Sequence, residues 1–146
     1  TELSMVFHYE IESLSHRDVV RAFAVMQVVV PALDLETWRR LTATEAQRRQ
    51  WATAKDARGY IRGIFRMTPV KHPLLGDLLD VPVFASISLI DESGVSREII
   101  AFARRWAERE GCRMIHIWSS APASIHVLEQ PQSVPDVGFG MIYSVE

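Results

Sequence analysis

The amino-acid sequence predicts an α+β fold in three layers, a mixed and mostly antiparallel central sheet flanked by helices. Three observations predict it. Strand-like and helix-like periods follow one another in the order β-α-α-β-β-β-α-β-loop-β, which stacks helices on a sheet. The stretch Val81–Trp118 reads as strand, helix, strand, and such a unit implies a parallel, right-handed crossover. The chain has 146 residues, 48% hydrophobic and 23% charged, so it can bury a core without disulfides or metals. One domain spanning residues 1–146 is expected.

Each element has its own signal. Met5–Ile11 is short, apolar and rich in strand formers. Ser15-His16-Arg17-Asp18 fits a capping box in which Ser15 caps and Asp18 reaches back. Val19, Phe23, Met26 and Val30 then mark the apolar face of a helix, which Pro31 ends or kinks. Asp34 caps a short continuation through Trp38 and Leu41, and Thr42 with Glu45 forms another candidate capping box. Trp51–Lys55 and Tyr60–Met67 read as a hairpin around Asp56–Gly59, where Gly59 supplies a positive φ. Thr68–Asp80 contains Pro69, Pro73 and Gly76 and reads as a long connection. Val81–Ile90 is a nearly unbroken apolar run, as in a strand buried on both faces. After a turn at Asp91–Ser96, the segment Arg97–Glu110 places Ile99, Ile100, Ala103, Trp106 and Ala107 on one helical side, with Gly111 as C-cap. Arg113–Trp118 is the next strand. Ser119–Asp136, with Pro122, Pro131 and Pro135, is irregular, and Phe139–Val145 is the closing strand.

Composition excludes several classes of function. A net charge of −2 supplies no basic face for a phosphate backbone, so nucleic acid is not an expected partner. The single cysteine, Cys112, permits no intrachain disulfide and fits a reducing compartment. Thr1–Glu10 lacks a basic stretch followed by an apolar run, and Phe23–Leu35 is broken by Gln27, Pro31 and Asp34. A soluble, cytoplasmic protein without a membrane partner is expected, its start at Thr1 processed or trimmed. His8, His16, His72, His116 and His126 show no metal-ligand spacing, so no metal is expected. Neither a Gly-x-Ser-x-Gly elbow nor a Walker-type loop occurs.

The segment that carries chemistry is Asp91-Glu92-Ser93-Gly94-Val95-Ser96, between a buried strand and a helix. Backbone N–H groups at a helix N-terminus point outward, and the helix dipole makes them a seat for a pyrophosphate. Small residues at Gly94 and Ser96 let phosphates come close. The same hexapeptide is also compatible with a plain turn and a helix cap. This segment, the helix after it, Gly111–Ile117, Gly138-Phe139 and Ile61-Arg62-Gly63 together resemble the GNAT superfamily of acyl-CoA N-acyltransferases. That family carries Gln/Arg-x-x-Gly-x-Gly/Ala at the position of Asp91–Ser96. Here Asp91 stands for Gln or Arg, Glu92 adds a second carboxylate and Ser96 stands for Gly or Ala. Leu128 occupies the place where family members often have a Tyr, with His126 and Tyr143 as substitutes for that proton donor.

The resemblance implies acetyl-CoA as co-substrate, transfer of its acyl group to a small amine or an amino group, and a cleft between the strands Val81–Ile90 and Arg113–Trp118. It implies that Ser88, Leu89 and Ile90 pair with the pantetheine arm and that Gly94, Val95, Ser96 and Arg97 hold the pyrophosphate. Asp80 and His116 are the candidate bases, directly or through water. A homodimer joined through the last strands is a further implied partner. Two alternatives stand beside this reading. The acidic pair and the absent Tyr suit a non-catalytic GNAT-like binding or regulatory module. Arg66-Met67-Thr68-Pro69-Val70-Lys71-His72-Pro73 resembles a stretch of acyl-homoserine-lactone synthases, which use acyl carrier protein and S-adenosylmethionine, although it also reads as a proline-fixed loop.

Overall fold

The computed structural model describes residues 8–86, 92–118 and 140–145. The expectations for Met5–Phe7, for Ser88–Asp91, and for His126, Leu128 and Gly138-Phe139 fall outside these residues. The elements are β1 (Glu10–Ser13), α1 (Val19–Val29), α2 (Leu35–Leu41), α3 (Glu45–Arg48), β2 (Trp51–Lys55), β3 (Ile61–Arg66), β4 (Thr68–His72), β5 (Gly76–Val81), β6 (Phe84–Ser86), α4 (Glu92–Arg109), β7 (Met114–Trp118) and β8 (Gly140–Ser144).

The strands form two four-stranded ladders, β1-β2-β3-β6 and β4-β5-β7-β8. All their pairings are antiparallel except β5 with β7; this parallel crossover through α4 starts from Gly76–Val81, not from the expected strand Val81–Ile90, whose described part, β6, pairs with β3 instead. Two bent strand runs link the ladders. The run Ile61–His72 gives β3 to one and β4 to the other, and Gly76–Ser86 likewise gives β6 and β5. Thr68–Asp80 is therefore a hairpin, not the long connection that its prolines suggest. Pro69 is accommodated because β4 is an edge strand, where a missing N–H breaks no inner ladder. Gly76 takes φ 75° at the start of β5.

Two cores flank the strands. On one face α1 and α2 bring Ala22, Val25, Met26 and Trp38 onto Trp51, Ile64 and Ala85. Trp38 and Trp51 meet edge to face with centroids 4.9 Å apart, and Trp38 Nε1 donates to Val19 O at 2.7 Å, so the one polar atom of that ring is satisfied. On the other face α4 buries Val95, Ile99, Ala103 and Ala107 against Ala52, Phe65, Leu79 and Ile115. This is the three-layer arrangement. Gly63 sets how closely α4 approaches: a Cβ there would stand 2.9 Å from Ile99 Cδ1 and 3.0 Å from both Val95 Cγ1 and Ala85 O.

Helix ends follow local chemistry, with three departures from the sequence pattern. Asp34 Oδ1 accepts from Thr37 N at 2.7 Å, as expected of a cap. The next capping box is built by Thr44 and Gln47 instead of Thr42 and Glu45, because Thr42 Oγ1 donates back to Trp38 O. Helix α4 starts at Glu92, five residues before Arg97. It ends in a Schellman motif: Cys112 N donates to Ala107 O, Gly111 N to Glu108 O, and Gly111 takes φ 74°.

The third departure concerns Ser15 and Asp18. They form no capping box; Ser15 Oγ donates to Asp18 Oδ2 at 2.8 Å, and Lys55 Nζ from β2 lies 2.6 Å from the same oxygen. Glu12 Oε1 and Arg21 Nη1 complete the cluster at 2.9 Å from Lys55 and 3.2 Å from Asp18. Burial pushes the Asp18 carboxyl up, but hydrogen bonds from Lys55 and Ser15 and the charges of Lys55 and Arg21 outweigh it and hold the carboxyl below its ordinary range. The hydrogen bond to Asp18 raises Lys55, against its burial. The Asp18 contribution is present above the unfolded carboxylate range and lost as pH falls through the depressed folded value. The Lys55 contribution is present below the unfolded lysine range and lost as pH rises through the raised folded value. Between these limits the pair ties the start of α1 to β2.

Two outcomes follow for unfolding in urea. Gly63→Ala is expected to lose about 1–3 kcal/mol, because the methyl group drives α4 off the sheet. Asp18→Asn is expected to lose about 3 kcal/mol at neutral pH by stranding Lys55, and to flatten the decline of stability on acidification.

Candidate active site

The site grows from an interruption in one strand. Pro82 has no N–H to give a ladder, and β5 stops at Val81. Up to that point the run pairs in parallel with β7, from Leu78↔Met114 to Val81↔Ile117. Beyond it, β6 pairs with β3, from Phe65↔Phe84 to Gly63↔Ser86, while β7 is held between β5 and β8. The two ladders part here, and Arg66 N bridges the interruption by donating to Val83 O at 3.0 Å.

At this fork the register places Asp80 directly beside His116. Residues opposite one another in a ladder share a face. Thr68, Asp80, His116 and Ile142 form one cross-strand row. Their neighbours Leu79 and Ile115 point the other way, into the core under α4. His116 Nδ1 lies 3.0 Å from Asp80 Oδ1; the His116 side chain is 0% exposed and that of Asp80 11%. A carboxylate at Nδ1 selects the tautomer with its proton there, and the lone pair then sits on Nε2. That is the arrangement of a general base oriented by an acid.

Arg66, the last residue of β3, follows Ile64 by two residues and so lies on the same strand face. Its guanidinium stands 5.7 Å from the Trp51 ring, and its Nη2 donates to Gln50 Oε1 at 3.0 Å. Burial lowers Arg66 from its ordinary value, and the charge of Asp80 works in the opposite direction. An arginine keeps its proton under such conditions.

The residues singled out in the sequence divide into three groups. Asp80 and His116 come together. Tyr143 does not join them: it is the register partner of Ile115, so it lies on the opposite face and packs in the core with α4. Val95 is fully buried with a methyl against Gly63, Gly94 and Ser96 are half-buried, and Arg97 is exposed. Because α4 starts at Glu92, the amides of Val95, Ser96 and Arg97 fall within the helix's own hydrogen-bond ladder. Ser88, Leu89 and Ile90 lie outside the described residues. Arg66 is the member of the cluster that sequence reasoning missed as a site residue. Its signal was available: it follows Ile64 at a two-residue step in a strand and shares that strand face with Trp51.

Other chemistry is distant or occupied. Cys112 is buried, and burial with the nearby Asp77 and Glu110 pushes its thiol up, which suits a packed thiol and not a nucleophile. A groove of about 480 Å³ lies between Ser13–His16, α3 and the end of α4 at Trp106 and Glu110. Its arginines are engaged, Arg48 with the carbonyls of Thr42 and Ala43 and Arg49 with Glu45. Among the described residues no three histidine, cysteine or acidic side chains gather as a metal site, and no helix is long and apolar enough to cross a membrane.

No protein-family model matches the chain, and no curated protein matches it. Solved structures do. A GCN5-related N-acetyltransferase from Kribbella flavida aligns with a TM-score of 0.58 at 24% identity, over 74% of this chain and 70% of its own. The aminoglycoside antibiotic 6'-N-acetyltransferase AAC(6')-Ih from Acinetobacter baumannii aligns with a TM-score of 0.62 at 11% identity, over 86% and 92% of the two chains. A GNAT family acetyltransferase from Brucella melitensis, solved in complex with acetyl-CoA, aligns with a TM-score of 0.58 at 11% identity, over 94% and 88%. At such identities the likeness is one of fold, and it includes the mixed sheet flanked by helices described above. The chain has the fold of the GCN5-related N-acetyltransferases.

Proposed function

We propose that this protein is an acyltransferase that moves an acetyl or related acyl group from acetyl-CoA to an amine, with Asp80 and His116 as its proton-accepting pair. The observation that carries this reading is the buried Asp80–His116 hydrogen bond at the point where the two ladders part. The fold supports the same reading, since its solved neighbours include acetyltransferases bound to CoA or acetyl-CoA. The first turn of α4, at Glu92–Gly94, is where the pyrophosphate would rest on backbone amides. The acyl carbonyl would lie between the parting strands.

Each group then has a task. The amine must lose a proton as it attacks the thioester carbonyl. His116 Nε2 accepts that proton, directly or through a water, while Asp80 holds the ring and balances the imidazolium that forms. The C–S bond breaks as the tetrahedral intermediate collapses, and the CoA thiolate leaves and takes up a proton. Asp91 and Glu92 put negative charge next to the place expected for the pyrophosphate and weaken its binding.

Titration calorimetry with acetyl-CoA and with CoA should show binding, and a thiol-release assay over a panel of amines should show turnover. The absence of binding at millimolar ligand would remove the cofactor from this reading and favour a non-catalytic module of the same fold. His116→Gln and Asp80→Asn are each expected to lower kcat/KM by about 10²–10⁴-fold while acetyl-CoA affinity stays near that of the native chain. Replacing Asp91 and Glu92 together by Asn and Gln should tighten acetyl-CoA by up to about thirtyfold, given roughly 1 kcal/mol for each exposed charge removed.

A further inference from the structure

We propose that the outer side of α1, with the notch it forms against the end of α2, docks an acidic segment of a partner protein, one apolar side chain seated in the notch and carboxylates on the arginines beside it. The inference is independent of the Asp80–His116 pair. Helix α1 is apolar almost all round: Val19–Val29 contains Arg21 and Gln27 as its only polar side chains. A helix of that kind is normally enclosed. Here Ala22, Val25 and Met26 are buried against the strands. Val20 and Val28 are instead 54% and 64% exposed, with Ala24 exposed between them. Steps of four residues put Val20, Ala24 and Val28 in one row. At the start of that row lies a notch of about 340 Å³, lined by Val19, Val20 and Ala43 together with His16, Thr42 and Arg39. Such a volume is at the small end for a ligand site and admits a leucine-sized side chain.

Charge selects the partner. Val19–Leu33 holds no acidic residue, and residues 13–65 hold nine of the sixteen Lys and Arg but five of the eighteen Asp and Glu. Four of those acids are engaged: Asp18 with Lys55, Asp56 with Arg62, Glu45 with Arg49, and Asp34 as the cap of α2. Arg39 at the notch and Arg17 ahead of α1 are exposed and have no ion pair among the described residues. The planar fork of an arginine matches a carboxylate. A helix seated in a membrane surface buries Trp, Phe or Leu, whereas this face offers Val and Ala beside a concavity. A second copy of the chain fits poorly too, because a two-fold contact would set the same arginines against themselves. The neighbouring groove beyond His16 carries Glu45 and Glu110, so an acidic segment would follow α1 and not turn toward α3.

The probe is a fluorescein-labelled octapeptide of glutamates around a central Leu-Leu pair, titrated by anisotropy against the full chain. It should bind, and more weakly as salt rises. Two control peptides, one with serines for the leucines and one with lysines for the glutamates, should bind about tenfold more weakly or less. Val20→Glu and Arg39→Glu should each weaken the first peptide by about tenfold or more. Arg104→Glu, the same change of charge at an exposed position of α4, should leave it within about twofold. All three positions are exposed, so the variants should keep the fold, and their unfolding in urea checks this. No binding by the native chain, equal binding of the serine peptide, or binding indifferent to Val20→Glu and Arg39→Glu overturns the inference. Two further results would also overturn it. Sedimentation of the native chain with phosphatidylserine–phosphatidylcholine vesicles, abolished by Val20→Glu, would assign the face to a lipid surface. A concentration-dependent dimer abolished by the same variant would assign it to a second copy.

Discussion

The missing N–H of Pro82 is the constraint from which the site follows. A strand run from Gly76 to Ser86 with a full set of donors could stay in one ladder along its length. Interrupted at Pro82–Val83, it pairs with β7 before the break and with β3 after it. The ladders part, and the last polar residue before the break, Asp80, is left at the fork with His116 beside it. A gap between strands exposes unpaired backbone, which is costly unless something else takes the hydrogen bonds. Arg66 N to Val83 O offsets part of that cost, and the same residue carries the cation of the site.

The face shared by α1, α2 and the strands holds two buried charge clusters with different designs. The Asp18–Lys55 cluster has two carboxylates and two cations within 3.2 Å of one another, so every charge has an opposite neighbour. It is closed, and it secures α1 on β2. The pair at the fork combines one carboxylate and one imidazole whose charge is variable. A buried cluster with one variable charge suits proton traffic, whereas a fully paired one suits attachment.

Much of the fold was legible in the sequence because its signals are local. The hairpin at Asp56–Gly59, the Asp34 cap, the apolar faces of α1 and α4 and the Gly111 terminus each rest on a few neighbouring residues. The failures arose where a tertiary partner outweighs local chemistry. Pro69 and Pro73 read as loop, yet pairing with β5 makes a strand of Thr68–His72. Asp18 looked like a cap partner of Ser15, yet Lys55 from β2 draws it inward. The apolar run from Val81 read as one strand because hydrophobicity outweighed the single Pro82. The site was half legible for the same reason. Asp80, at the end of the expected connection Thr68–Asp80, and His116, in a strand, stood out one by one as titratable groups. Nothing in the sequence places residues 36 positions apart side by side; the parallel register of β5 and β7 does. Arg66 was hidden because an arginine at a strand end is usually solvated, and only the fold sets Trp51 and Gln50 around it.

Placing the pair on strands instead of loops has a consequence for how it can work. Asp80 and His116 belong to adjacent inner strands of their ladder, each flanked by a further strand, so neither backbone can shift without breaking hydrogen bonds on two sides. Their 3.0 Å contact is therefore fixed before any ligand arrives. A base oriented in advance loses no freedom when the reaction begins, and its contribution is spent on the transition state. The cost of that rigidity is borne in the free protein, as desolvation of the Asp80 carboxylate and the Arg66 guanidinium. The hydrogen bond to His116 recovers part of it for Asp80, and the Gln50 and Trp51 contacts do so for Arg66. In the proposed reaction this rigid pair and a cofactor seat at the first turn of α4 would divide the labour between them. On that reading the sheet would fix where the proton goes, and α4's first turn how tightly the acyl donor is held.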